Sequence, residues 1–420
     1  MKHKIGLVFR TVTILLLVTI LFSYAMFQGG FVSWFLFYAT LPLFLYMLGV
    51  VVYPMSKWHV ERTFSKAVAQ EGETITVDVH VKRKLPFPLF YCIVEEETPN
   101  SLRMSGRLRD KYKDMNASLK GRQEPPLKTI LFPWFHTSFT FTYVFEEVSR
   151  GEHHFHNIRL RTGDIFGFVK KETTCDLHGS ILVYPSQRDV HMQPSLSSYE
   201  EGSLQSKGTM KRDTSIVTGV REYVPGDRFS WVDWKTTAKQ GTVMTKEFEQ
   251  EKSANSLLIM DGTMDDHTDD LSYEGVVEFC ASFLTSYGNS EADLTFVMIG
   301  QGVHYINEAN RRGKNKALYQ LAKVQPEKGD SFGEKLQKEQ ATLPINHVCY
   351  VVIKQLDEHV QQSIEWLKKR NSKVVLFLVM SEMKRDEEME ERLNQLSIKG
   401  IVANVMTENE MSHSAFEVKT

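Results

Sequence analysis

Residues Arg221–Asp261 read REYVPGDRFSWVDWKTTAKQGTVMTKEFEQEKSANSLLIMD. Pro225-Gly226 is a turn signal, because proline fixes φ and glycine tolerates the left-handed region. Asp227 then stands where a helix N-cap would. A short helix is expected from Arg228 to Lys239, with Trp231, Trp234 or Lys235, and Ala238 on one face. Gly241 is its expected stop. Val243–Phe248 alternates like an edge strand, and Lys246, Glu247, Glu249 and Glu251 charge its end. The stretch closes on Leu257–Met260, an unbroken apolar run of the kind carried by a strand buried on both faces. Arg221, Glu222, Asp227, Asp233, Trp234 and Lys235 are the candidates for a ligand or partner site. The alternative is structural: Arg–carboxylate pairs that only hold turn, helix and strand together.

From Ser256 onward the pattern alternates between strands and helices. Leu271–Tyr287 reads as an amphipathic helix, and Leu294–Ile299 with Val303–Ile306 as a hairpin about Gly300-Gln-Gly302. Strands are expected at Val348–Ile353, Lys373–Met380 and Ile401–Met406, with amphipathic helices between them. Continuous apolar strands between such helices predict an α/β, doubly wound and largely parallel sheet over residues 256–420. Cys280 and Cys349 fall in apolar patterns, as buried thiols do. No Cys or His spacing suits zinc, and no nucleophile, base and orienter set is visible. No catalytic residue is therefore assigned.

Upstream, residues 59–190 read as β. Thr74–Val81 alternates at period two, and Phe90–Glu95 and Thr137–Val144 continue the style, punctuated by proline. A small β-sandwich is the expectation. His153, His154 and His156 are expected at the surface rather than on a metal. The loop Ser101–Lys128 is expected to be solvated; its basic residues also suit anionic headgroups. Ser186–Thr218 is Ser-rich and polar and reads as a flexible connection, and residues 191–255 as linker and signature segment. At the start, Thr11–Gln28 and Phe31–Tyr53 are each long enough to cross a hydrocarbon core of about 30 Å, with only Gly29-Gly30 between them. Residues 1–58 thus read as a transmembrane hairpin; Ser23-Tyr24-Ala25 is a poor site for cleavage as a signal peptide. Lys2, Lys4 and Arg10 before the pair, and Lys57, Arg62 and Lys66 after it, predict both ends in the cytoplasm. The net charge of −2 over 420 residues argues neither for nor against nucleic acid, and no nucleic acid partner is expected.

The run of Arg-Glu-Tyr, Pro-Gly-Asp, Asp-Trp-Lys and Lys-Glu-Phe-Glu resembles the signature of the bacterial domain-of-unknown-function family fifty-eight, the YeaD-like membrane proteins. Arg161-Thr-Gly-Asp164-Ile-Phe-Gly-Phe168 and Ile181–Pro185 resemble the strands that precede that signature. The family usually has Arg where Ser230 stands, so Arg228 is the nearest substitute. The strand order with its hairpin, and Asp261-Gly-Thr263-Met-Asp265, resemble a von Willebrand factor A domain, whose Asp-x-Ser-x-Ser holds a divalent cation. That resemblance implies Mg²⁺ or Mn²⁺ on Asp261, Thr263 and Asp265, with Ser331 a further candidate ligand. It also exposes a departure, because Lys354-Gln355 stands where a distal Ser-Asp is usual. A lysine ammonium there would replace the charge of the ion by pairing with Asp261 or Asp265.

Membership of the first family implies a MoxR-type AAA+ ATPase as partner, beside a transglutaminase-like membrane protein. The leading expectation is a plasma-membrane adaptor for assembly or maturation of envelope or other complexes, with its folded domains cytoplasmic and the sheet crevice, Asp261 and Asp265 included, engaging the partner. One alternative is a metal-assisted hydrolase using Asp227, Asp233, Glu247 and Glu249. Another is a membrane-surface scaffold with no ligand.

Overall fold

The structure is a computed structural model. It describes residues 2–99, 101–102, 111–113, 115, 127–193, 215–250, 255–264, 270–287, 293–300, 302–307, 311–328 and 331–419. Two helices open the chain, α1 (Lys2–Gln28) and α2 (Phe31–Val52). Thr11–Gln28 and Phe31–Val52 have mean hydropathies of 1.9 and 2.1, so both are long and apolar enough to cross a membrane. Gly29 takes φ +62°, which lets the chain reverse within two residues.

Eight strands follow: β1 (His59–Phe64), β2 (Val68–Gln70), β3 (Ile75–Lys82), β4 (Cys92–Glu96), β5 (Leu127–Leu131), β6 (Ser138–Phe145), β7 (Gly151–Gly163) and β8 (Lys170–Tyr184). They form sheets of order β1-β3-β6 and β2-β8-β7-β4-β5. Period-two patterning does the work here. Ile75, Val77, Val79 and Val81 all point inward from β3 and are fully buried. They share one core with Phe141, Tyr143 and Phe145 of β6 and with Val94, Phe155, Ile158, Leu160 and Val183 of the other sheet.

After β9 (Asp189–Gln193) come β10 (Ser215–Glu222), α3 (Trp234–Gln240) and β11 (Met244–Gln250), a two-stranded ribbon carrying one short helix. The last part holds β12 (Ser256–Asp261), β13 (Thr263–Met264), α4 (Asp270–Tyr287), β14 (Leu294–Ile299), β15 (Val303–Asn307), α5 (Arg311–Lys323), β16 (Glu327–Lys328), α6 (Phe332–Glu339), β17 (Val348–Ile353), α7 (Glu358–Arg370), β18 (Lys373–Val379), α8 (Glu387–Ile398), β19 (Val402–Met406), α9 (Glu408–Ser412) and β20 (Ala415–Lys419). Its six-stranded sheet has the order β15-β14-β12-β17-β18-β19. All neighbours are parallel except β14 with β15. Leu258 and Met260 face a core with α4 and α5, while Leu257 and Ile259 face a second core with α6, α7 and α8. A strand covered on both faces has no polar side to show, which is why its sequence is continuously apolar.

Two expectations need correction. The connection after Ser186 is not irregular throughout: β9 pairs in parallel with β20, so the chain's last strand returns to it. Residues 194–214 lie outside the described set. The Ser101–Lys128 loop is not simply solvated either. Its described residues Tyr112 and Met115 are fully buried in the α4–α5 core, because an aromatic and a methionine gain more from that core than from water.

The β-sheet lobe and the α/β lobe are joined by charge. Arg150, just before β7, donates to both carboxylate oxygens of Glu274 on α4 at 2.9 and 2.7 Å. It also donates to the carbonyls of Leu321 and Val324 at 2.6 Å each, satisfying the orphan end of α5. Beside it, Glu278 accepts from Tyr112 (2.6 Å) and Arg188 (2.7 Å), and Lys111 pairs with Glu71 at 2.7 Å.

Candidate functional site

The signature residues build a self-supporting ribbon. β10 and β11 run antiparallel, with Arg221 opposite Thr245 and Glu222 opposite Met244. The turn after them closes through Asp227 N–H on the Val224 carbonyl at 3.1 Å, with Gly226 at φ +119°. The Asp227 carboxylate does not cap a helix. It takes the Arg221 guanidinium bidentately, 2.9 Å on each oxygen, and accepts the Val224 N–H at 3.1 Å. The Arg221 guanidinium, with the Val224 N–H, holds the Asp227 carboxyl below the usual aspartate range.

The expected helix from Arg228 is broken in two. Phe229–Trp231 is a single 3₁₀ turn, and α3 begins only at Trp234. Asp233 caps α3, accepting from the Lys235 and Thr236 backbones at 3.0 and 3.1 Å, and the Thr236 N–H leads in lowering its pKa. Gly241 closes the helix at φ +75°, as the sequence requires. Thus Arg221 and Asp227 meet, whereas Asp233 has a separate capping role. Glu222 and Lys235 are exposed, and Trp234 stands out to solvent on α3. Arg228 lies over the Trp231 ring at 5.4 Å.

The second candidate lies at the carboxyl ends of β12 and β17. Asp261 and Thr263 are buried there, and Asp265 lies outside the described residues. Asp261 Oδ1 accepts the Thr263 N–H and hydroxyl at 3.0 and 2.7 Å. Its Oδ2 accepts Lys354 Nζ at 2.7 Å, and the same ammonium reaches Thr263 Oγ1 at 3.3 Å. Lysine therefore supplies the positive charge at the point where a cation would sit. Among the described residues no group of three His, Cys, Asp or Glu could hold a metal ion. Of the three expected ligands, Asp261 and Thr263 are thus bonded to Lys354, and Asp265 is not among the described residues. Ser331, the further candidate ligand, caps α6 by accepting the Glu334 N–H at 3.3 Å.

Other expectations divide. Cys280 and Cys349 are buried free thiols, and burial pushes Cys349 up to about 12. His154 and His156 are exposed, but His153 is enclosed, with Nδ1 on Ser101 Oγ at 2.9 Å and Nε2 on the Ser149 carbonyl at 2.8 Å. Burial lowers its pKa, as for a neutral core histidine. Period-two alternation along β7 is enough to put His153 inward and His154 and His156 outward. Sequence reasoning missed the lobe clamp of Arg150, Glu274, Glu278, Arg188 and Lys111. Only the apolar Tyr112 and Met115 inside a charged loop hinted at it.

The family described as "Protein of unknown function DUF58" matches residues 219–412, the ribbon and nearly all of the α/β lobe. Uncharacterized protein YeaD of Bacillus subtilis (strain 168) is 35% identical over 346 residues, covering 82% of each chain. Among solved structures, the PilB minor pilin from Streptococcus sanguinis covers 77% of this chain and 85% of its own at 7% identity and a TM-score of 0.30. The CARDB domain of the PF1109 protein from Pyrococcus furiosus covers 30% of this chain and 92% of its own at 13% identity and a TM-score of 0.18. Likeness that slight carries no argument. The YeaD match runs well beyond the signature into the rest of the chain, and on that ground the chain belongs to the DUF58 family.

Proposed function

We propose that this chain is a membrane-anchored, non-catalytic adaptor whose signature ribbon presents a preformed apolar surface to a protein partner. The observation that carries this reading is the exposure of Phe229 (73%) and Trp234 (64%) on a turn and helix already held by their own polar groups. Aromatic side chains on a preordered surface lose little entropy on docking and are the usual anchors of an interface. Three of the polar groups that a metal-assisted hydrolase would draw on are committed elsewhere: Asp227 to Arg221, Asp233 to the α3 cap, Asp261 to Lys354. That favours binding over hydrolysis.

In this reading α1 and α2 cross the plasma membrane. The paired β-sheets are a β-sandwich, the six-stranded sheet is a von Willebrand factor A-like domain, and basic residues on both flanks keep these domains cytoplasmic. Family resemblance points to a MoxR-type AAA+ ATPase as the partner, with a transglutaminase-like membrane protein beside it. The process served is assembly or maturation of envelope or other complexes. The test is capture of a purified MoxR-type ATPase by the detergent-solubilised full chain. Phe229→Ser/Trp234→Ser should lower capture at least tenfold with an unchanged unfolding midpoint. Equal capture by the wild type and the folded double variant sinks the ribbon reading.

A further inference from the structure

We propose that three loops at one end of the β-sheet lobe form an apolar tip that enters the headgroup–acyl boundary of the bilayer beside α1 and α2. The proposal rests on the reading that those helices cross the membrane. The loops are residues 84–90, 132–136 and 164–169. Leu85, Trp134, Phe135, Ile165, Phe166 and Phe168 on them are 47% to 61% exposed. Single exposed apolar residues are ordinary, but a cluster on adjacent loops marks an interaction surface.

The tip is built to hold these side chains out. Arg83 is buried and donates to the carbonyls of Phe87 (2.9 Å), Trp134 and His136, tying the first two loops together. Trp134 takes φ +44°, a left-handed conformation that a non-glycine residue keeps only when its surroundings impose it. In the third loop the buried Asp164 carboxylate accepts the Phe166 N–H at 3.0 Å and the Val169 N–H. A Cβ on Gly163 would lie 2.3 Å from the Val169 carbonyl oxygen, and Gly167 sits at φ +78°. The Gly-Asp-Ile-Phe-Gly pattern is thus the recipe for a rigid turn that displays Ile165, Phe166 and Phe168.

The same loops are seated on the anchor. Val169 is buried with Ile14 of α1 and Met47, Val50 and Val51 of α2, and Phe87 packs against that cluster. Gly49 leaves room for the Phe87 ring, which a Cβ would meet at 2.8 Å. Lys171 Nζ donates to the Val51 carbonyl at 2.7 Å and to that of Tyr53, capping α2 and fixing the lobe on its end. Depth follows from helix length. The 22 residues of α2 rise about 33 Å, against a hydrocarbon core of about 30 Å. Tyr46 lies about 9 Å back from the helix end at 1.5 Å per residue. Its ring meets Phe90 edge-on at 5.3 Å, and Phe90 meets Trp134 at 5.0 Å. The tip therefore descends past the end of α2 to the level where aromatic rings favour the membrane interface.

The test uses the full chain in lipid nanodiscs that carry a nitroxide at a shallow acyl position. An environment-sensitive fluorophore is placed on Phe166→Cys, Leu43→Cys or Ile398→Cys in a Cys175→Ser background. Labels at 43, within α2, and at 166 should emit in the blue and be quenched at least twofold, while the label at 398 should do neither. Quenching at 43 with a water-like, unquenched label at 166 overturns the tip and leaves the anchor standing. No quenching at 43 overturns the anchor, and the tip with it. A label at 166 that is water-like in nanodiscs yet shielded in intact cells assigns the surface to a protein and also overturns the proposal.

Discussion

Arg150 and Arg221 each grip a carboxylate with two nitrogens, and the lengths barely differ: 2.9 and 2.7 Å to Glu274, 2.9 and 2.9 Å to Asp227. Their surroundings differ completely. The Arg150 side chain is almost fully buried between the two lobes and also ends α5, whereas the Arg221 side chain on the ribbon is 41% exposed. An exposed pair is screened and contributes little net stability, while removing one member of a buried pair strands the other charge. The same chemistry thus serves as a clamp in one place and as a shape-setter in the other. The clamp presents the two lobes as one body; the ribbon keeps its surface ready for a partner.

That contrast can be broken most sharply at the clamp. Arg150→Met should cost about 3–5 kcal/mol, read as a fall in the denaturation midpoint, and should split one cooperative transition into two. A loss below about 1 kcal/mol, the range of exposed pairs, would erase the distinction between clamp and ribbon. Next is the buried pair at the sheet crevice. Lys354→Met should cost about 2–3 kcal/mol, less than the clamp because Asp261 keeps both bonds from Thr263. Adding Asp261→Asn should recover most of that loss. Millimolar Mg²⁺ should leave the wild-type midpoint unchanged; a rise through linkage would mean that the ion displaces the ammonium.

The smallest effects belong to the ribbon. Arg221→Ala should leave the global midpoint in place and lower capture of the partner. The pH dependence has a definite sign. Asp227 titrates below its ordinary range when folded, so the lock is intact above the unfolded aspartate value of about 3.9 and is lost as pH falls through the lower folded one. The Val224 amide, which donates to Asp227, should shift in NMR spectra only below that ordinary value. A midpoint at or above it would contradict the lock.

Much of this was legible in the sequence. Period-two alternation in β3, unbroken apolar runs in β12, β17 and β18, and two long apolar helices each depend on near neighbours and on which faces are covered. Gly241 as a helix stop and the Pro225-Gly226 turn are local for the same reason. Local pattern misled where two acceptable caps competed: Asp227 and Asp233 both precede helical residues, and Arg221, six residues away, claimed the first. Lys354 was a visible departure from the resembled cation site, and the structure places its ammonium on Asp261.

By itself the sequence determined most of the elements, the faces of the long ones and the family, because those follow from spacing along the chain. Only the tertiary structure decided which charges would be buried together. Glu71 and Lys111 are 40 residues apart, Arg150 and Glu274 are 124 apart, and Arg188 and Glu278 are 90 apart. Read singly, each is an ordinary solvated side chain. Burial that makes each pair strong exists only after β-sheet and α/β lobes have met, since a charge leaves water only where its counter-charge already waits.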